Sequence, residues 1–283
     1  MPPGLRRTSG GRVDLSAAPH GGALGEGWKV PGRIQSIERA AAILRLLSGR
    51  SRRLGVAELA GELRLPKGTV YGILRTLQAV GFVEQDRDSG KYQLGPALLH
   101  MGSSYLDGNE LRTRALNWAD GLATRSGESV RIGTLHENQV LIVHHVFRPD
   151  DTRQALEVGS LLPAHATALG KALLANHNYI AAEFAPGSLA SFTPATVTDI
   201  YRFRQELEEI AQRGWAADVG ELFHGTASIA APIEDRRRVT VGSMGIAGPI
   251  ERLCDGRRPR PEFVDYVLES ARAVSRELGA IPW

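Results

Sequence analysis

The sequence predicts an α+β chain in two parts. A small helical unit closes in a β-hairpin, and a larger unit follows in which strands and helices mix without strict alternation. Three observations predict this. Apolar residues recur at helical spacing in three short segments between residues 36 and 80, and a strand–turn–strand pattern comes directly after. Beyond Ser126-Gly127 the apolar period changes from helical to two. Charge is also unevenly spread: residues 1–32, 33–106 and 107–283 carry net charges of +2, +5 and −4 in a chain whose total is +3. With 283 residues, 42% hydrophobic and 23% charged, the chain has material for more than one core.

Residues 1–32 are rich in Gly, Pro and Ser, show no periodicity, and are expected to form a disordered extension. Ser36 is placed to cap a helix carrying Ile37, Ala40, Ala41, Leu44, Leu46 and Leu47, which Gly49 ends. A basic loop of Arg50, Arg52 and Arg53 leads to a second helix with Val56, Leu59, Ala60 and Leu63, and Arg64-Leu65-Pro66 makes a turn. The third helix buries Val70, Ile73, Leu74, Leu77 and Val80 and shows Lys67, Gly68, Thr69, Tyr71, Gly72, Arg75 and Gln78 on its other face; Gly81 stops it. Phe82 and Val83 open a strand, Asp88-Ser89-Gly90 turns, and Lys91 to Leu94 returns. Two helices, a tight turn, a third helix and a hairpin in this order make a winged helix-turn-helix, assigned to residues 33–95.

The residue types on the third helix suit double-stranded DNA. Lys67 and Arg75 can take phosphate or guanine, Thr69 can donate to a phosphate, Tyr71 offers a hydroxyl and a flat face, and Gly68 and Gly72 keep the backbone accessible. Arg87 and Lys91 on the hairpin extend the basic surface toward the backbone or minor groove.

Pro96 suits the first turn of a helix running to Tyr105, assigned as a linker helix over 96–110, and a further helix spans Leu111 to Thr124. These two helices read as a connection between domains. A second domain is assigned to 111–280. In it Val130–Thr134 and Val140–Phe147 form a hairpin, and Gln154–Val158 is a candidate third strand. Pro163 to Ala175 is a loop feeding a small-residue helix, Asp199–Arg213 is a helix, and Trp215–Val219, Ala227–Ile233 and Thr240–Ala247 are strands. Glu262–Leu278 is a closing helix.

The absence of other chemistry is equally informative. Gly170-Lys171 looks like the end of a phosphate-binding loop, but His165 stands where its first glycine would be. His144 and His145 adjoin on a strand and point to opposite faces, which is poor metal spacing. No nucleophile-elbow motif accompanies His165, which reads as a loop-fixing hydrogen bonder. No enzyme activity, cofactor or metal is expected. Cys254 is the single cysteine, Arg6 and Arg7 precede no apolar core, and no apolar run approaches the roughly 20 residues that span a bilayer, so a cytoplasmic location without membrane contact is expected.

Three stretches make the chain similar to a known family. IQSIERAAAILRLL runs through LAGELRLPKGTVYGILRTL to GFVEQD and GKYQLG; LLPAHATALGKALLA follows; GWAADVGELFHGTASIAAPIEDRRRVTVGSMGIAGP is the third. From residue 33 to about 280 the sequence resembles the IclR family of bacterial transcriptional regulators. The resemblance implies a GAF-like effector-binding domain after the linker helix, a homodimer or dimer of dimers on palindromic operator DNA, and an effector pocket at Ala168, Leu169, Gly170, Asp218, Ser228, Ile229 and Ala230. A helix starting near Thr167 would aim N–H groups at an anion, to which Arg131 and Arg153 add charge if they point inward. Two departures alter the pocket's polarity. Gly220 stands where many relatives have the first of two acids, leaving Glu221, and Ser228 stands where many have cysteine. GFVEQD, HHVFRPDDTRQ, SIAAPI with DRRR, and IERLC further resemble members of the family that repress glycerol catabolic genes, which implies glycerol 3-phosphate as the small anionic effector. The alternatives are a regulator of another small-acid catabolic operon, or a small-acid-binding enzyme or transport protein that uses the helical unit only for association.

Overall fold

The computed structural model describes residues 34–49, 53–150, 154–176, 184–185 and 187–279. The expected extension 1–32 and Arg50, Arg52 and Arg153 lie outside the described residues. The chain divides into two compact units, with the boundary between Gly108 and Asn109.

The first unit contains α1 (Gln35–Leu47), α2 (Val56–Leu63), α3 (Lys67–Ala79), the hairpin β1 (Val83–Gln85) and β2 (Tyr92–Leu94), and α4 (Pro96–Asp107). Ser36 is not the cap of α1. Ile34 holds that position without a side-chain hydrogen bond and Ser36 lies inside the first turn, where Glu38 complements the helix dipole. At the start of α2 the Glu58 carboxylate accepts from the Gly55 N–H at 2.7 Å. Arg64, in the left-handed conformation (φ 52°), turns the chain toward Pro66 and α3. Ile43, Leu59, Val70 and Leu74 are fully buried, and Tyr92 of the hairpin packs on them. Leu54 and Tyr92 exchange backbone hydrogen bonds of 3.0 and 2.9 Å, tying the hairpin to the segment before α2. Gly81 (φ +76°) makes the reversal out of α3 that a side chain would resist. Within this unit α4 buries none of its residues, and Leu99, Met101 and Tyr105 stand exposed.

The second unit is built on one antiparallel sheet. Its strands are β3 (Ser129–His136), β4 (Gln139–Val146), β5 (Leu161–Pro163), β6 (Ala216–Val219), β7 (Thr226–Glu234) and β8 (Thr240–Pro249), in the order β5-β4-β3-β8-β7-β6. Helix α5 (Glu110–Ser126) does not act as a second connector. Ala115 and Ala119 are fully buried as it packs along the sheet and the closing helix. Gln154–Val158 forms no strand: the chain turns back through Glu157–Ser160, and Leu161–Pro163 pairs with β4 instead (Val140 opposite Leu162). After α6 (Ala168–Leu174) and α7 (Ile200–Arg213), the chain passes through β6 to β8, a short helix α8 (Ile250–Leu253), and the closing α9 (Pro261–Gly279).

Alternation along β8 assigns the two faces of the sheet. A Cβ on Gly242 would meet the Leu111 side chain of α5, whereas Ser243, next along, donates its hydroxyl to the Leu169 carbonyl of α6 at 3.1 Å. Helices α5 and α9 therefore cover one side and α6 the other.

Candidate functional site

The residues singled out from the sequence fall in two places, an exposed helix face in the first unit and the largely buried α6 side of the sheet in the second, Ile229 apart. On α3 the buried stripe of Val70, Leu74 and Leu77 fixes the opposite face outward. Lys67, Gly68, Tyr71, Gly72 and Arg75 are exposed there and Thr69 is half-buried. Among the described residues no carboxylate pairs with Lys67 or Arg75. Pro66 caps the helix without a side-chain hydrogen bond, so the cap residue leaves the N–H groups of the first turn, where a phosphate would approach, without a side-chain acceptor.

The hairpin turn is organised by Asp86. Its carboxylate accepts from the Ser89 hydroxyl at 2.6 Å and the Ser89 N–H at 2.8 Å and meets Arg53 at 3.0 Å; the Ser89 hydroxyl bond leads the effects that hold this acid below the usual range. Arg87 projects exposed from this turn. Lys91 sits 3.2 Å from the Glu58 carboxylate, so part of its charge is already answered by α2.

In the second unit the registers place Asp218 opposite Ser228, Ser228 opposite Ala247, and Ala247 opposite Ser129. The adjacent row runs Ala216, Ala230, Gly245 and Arg131, and Arg131 lies opposite His145. Both rows share the face of Ser243, on which α6 lies. Small side chains occupy the middle of this α6-covered face, the cup, between Asp218 and Ser228 toward one edge and Arg131 and His145 toward the other. Ala168, Leu169 and Gly170 are buried in α6 against it. A Cβ on Gly170 would fall 2.1 Å from the Ala164 carbonyl oxygen, so only glycine lets the preceding turn pack so closely on α6. Ile229 belongs to the other face by alternation, and its side chain is part of the core.

The helix start is less open than the sequence implies. Thr167 caps α6, its hydroxyl accepting the Gly170 N–H at 3.2 Å, and the Lys171 N–H bonds the Thr167 carbonyl. Arg131 does lie on the cup face, but Glu157 pairs with it at 2.5 Å, and the Glu157 N–H donates to His145 Nδ1 at 3.3 Å. Burial, then the Arg131 charge, lowers the His145 pKa to about 4, so the ring is neutral at pH 7. His165 holds the Ala190 carbonyl at 2.9 Å and packs on Phe192 and Phe203, a loop-fixing arrangement.

The densest charge cluster centres on Lys171, which the sequence presented only as the tail of a failed nucleotide motif. Its ammonium is fully buried, 2.5 Å from Glu221, 2.7 Å from Glu206 and 3.3 Å from the Ala217 carbonyl. Asp218 stands beside it, accepting the Glu221 N–H at 2.7 Å and the Ser228 hydroxyl at 3.3 Å. Burial, then the neighbouring Glu221 charge, pushes the Asp218 pKa up to about 7. The sequence signal was available: a lysine inside a helix of small and apolar residues requires buried carboxylates. Nothing local in the sequence pointed to Glu206, 35 residues away.

A winged helix-turn-helix with an exposed basic helix face, joined in one chain to a sheet domain with buried polar groups, is the make-up of a transcriptional regulator. The comparisons agree. The IclR helix-turn-helix domain matches residues 36–87, and the bacterial transcriptional regulator IclR C-terminal domain matches residues 103–276. The glycerol operon regulatory proteins of Streptomyces coelicolor and Streptomyces griseus are 57% and 55% identical over 247 residues, covering 87% of this chain and 97% of each relative. An IclR transcriptional regulator from Alicyclobacillus acidocaldarius has a similar structure, with a TM-score of 0.72 at 26% identity over 88% of this chain and all of that one. This chain belongs to the IclR family of bacterial transcriptional regulators.

Proposed function

We propose that this protein is a cytoplasmic, non-enzymatic repressor of glycerol catabolic genes that binds operator DNA as a homodimer or dimer of dimers and changes its operator affinity with glycerol 3-phosphate. The observation that carries the DNA reading is the α3 face, where Lys67, Thr69, Tyr71 and Arg75 stand together and, among the described residues, no carboxylate pairs with the two cations. The glycerol assignment draws on the names of the Streptomyces relatives, whose identity extends over nearly their whole length. Among the described residues no helix is long and apolar enough to cross a membrane.

The cup supports a small polyol phosphate as ligand. Asp218 and Ser228 match hydroxyl groups, and Arg131, released from Glu157, matches a phosphate. Such a ligand acts by binding one DNA-affinity state better than the other.

Fluorescence anisotropy tests the reading, using DNA from upstream of the protein's own gene and the neighbouring operon, with and without glycerol 3-phosphate. Preference for that DNA over a random duplex, changed by the ligand, is the expected result. Preference that ignores glycerol 3-phosphate moves the protein to another small-acid operon. No preference over random DNA at several salt concentrations overturns the regulator reading.

A further inference from the structure

A second concavity lies on the other side of the sheet from the cup, between α9, the end of β7 and the turn at residues 235–238. Its volume is about 540 Å³, in the range of a metabolite site. Gly214, Leu268 and Ala271 give it an apolar part, and Arg236, Arg272 and Arg276 stand at its rim. Glu234, Asp235 and Arg238 line it as well, but their charges are already engaged: Glu234 pairs with Arg238 at 3.1 Å, and Asp235 with Arg237 at 3.0 Å. Among the described residues Arg236, Arg272 and Arg276 have no ion pair. Arg272 and Arg276 are four residues apart on α9, where like charges repel. Three unanswered guanidiniums around a metabolite-sized hollow favour an occupant with several negative charges.

We propose that this cavity binds a small polyanion, phosphate- or carboxylate-bearing, at a site separate from the effector cup. The occupant bridges the 235–238 turn to α9. Helix α9 is in turn fixed to α5 through the Trp118 indole, which donates to Glu277 at 2.6 Å, one residue from Arg276. The site thereby reports the level of a second metabolite to the same sensor unit.

Isothermal titration calorimetry of the full-length protein in a zwitterionic buffer, with inorganic pyrophosphate and separately with citrate, tests this. Saturable binding of one anion per chain is expected. It should weaken at least about tenfold in an Arg272→Gln, Arg276→Gln double variant, the loss of one or two charge-assisted hydrogen bonds. An Arg258→Gln variant, altered at an exposed arginine outside the cavity, should bind as wild type. The two arms show whether phosphate or carboxylate is preferred. Should the double variant fold poorly by thermal melting, Arg236→Gln supplies the same comparison from the other wall. The proposal is overturned if neither anion binds saturably, or if binding persists undiminished in a folded cavity variant. Excess glycerol 3-phosphate should not displace the anion; displacement would place both ligands in one site and also overturn it. Because the readout uses no DNA, its outcome is independent of the operator reading.

Discussion

Lys67 and Arg75 of the first unit stand at the surface and, among the described residues, pair with no carboxylate, whereas Lys171 of the second has no exposed surface and meets two carboxylates within 2.7 Å. A side-chain cation is left unanswered in one place and answered twice in the other. A surface that recognises a polyanion keeps its cations solvated until the partner arrives, because a standing ion pair would have to be broken first. A sensor domain has the opposite requirement. Its interior charges must be mutually satisfied, since each unpaired ion in low dielectric costs several kcal/mol.

Replacing Lys171 by Met should break this contrast most severely. It leaves Glu221 and Asp218 buried without their cation, and urea denaturation should show the second unit losing about 3–5 kcal/mol. Adding Glu221→Gln to that variant should recover much of the loss. Arg75→Ala should act in the opposite sense, leaving the melting temperature in place while specific operator affinity falls by roughly 1–3 kcal/mol in anisotropy titrations. Unchanged affinity would remove Arg75 from the reading set.

Asp218 gives the comparison a pH axis. Its folded pKa is raised from 3.8 to about 7, so the folded protein holds a proton there that the unfolded chain has released. The stability this confers is full below about pH 4 and is lost as pH rises through 7. Asp218→Asn should flatten that decline and leave the variant more stable than wild type at pH 8 by about 1 kcal/mol in thermal melts. His145, whose pKa is depressed to about 4, works against Asp218 on the acid side, its contribution disappearing as pH falls from 6.5 toward 4. The smallest effect belongs to Lys91→Ala. With its charge shared with Glu58 in an exposed pair, it should change operator affinity and stability by only about 0.5 kcal/mol each.

The elements of the first unit were legible because its information is local, although Val80, read into the buried stripe of α3, is its C-cap and stands 54% exposed. The apolar stripe of α3, the reversal at Gly81 and the turn before Pro66 all lie within one 20-residue window, and the side chains read as exposed are those left over once the stripe is buried. Ser36 misled because serine both caps helices and tolerates a first turn, and only the backbone path through Ile34 decides between them. In the second unit the strand order and the burial of α5 depend on partners more than 100 residues apart, such as Val130 with Ile246. Gln154–Val158 had the composition of a strand, yet Glu157 is committed to Arg131 and His145 and the ladder position passes to Leu161–Pro163. The cup positions Asp218 and Ser228 entered through family likeness, whereas the partners of Lys171 and His145 emerge only when the fold brings Glu206, Glu221 and Glu157 to them.

The bond from Trp118 to Glu277 has an optical consequence. An indole N–H aimed at a carboxylate is a chromophore whose excited-state dipole senses a fixed negative charge. Any ligand that slides α9 along α5 will alter that field and shift the emission of Trp118. With Trp28, Trp215 and Trp283 changed to Phe, the protein carries its own spectroscopic gauge of the helix pair and needs no attached dye.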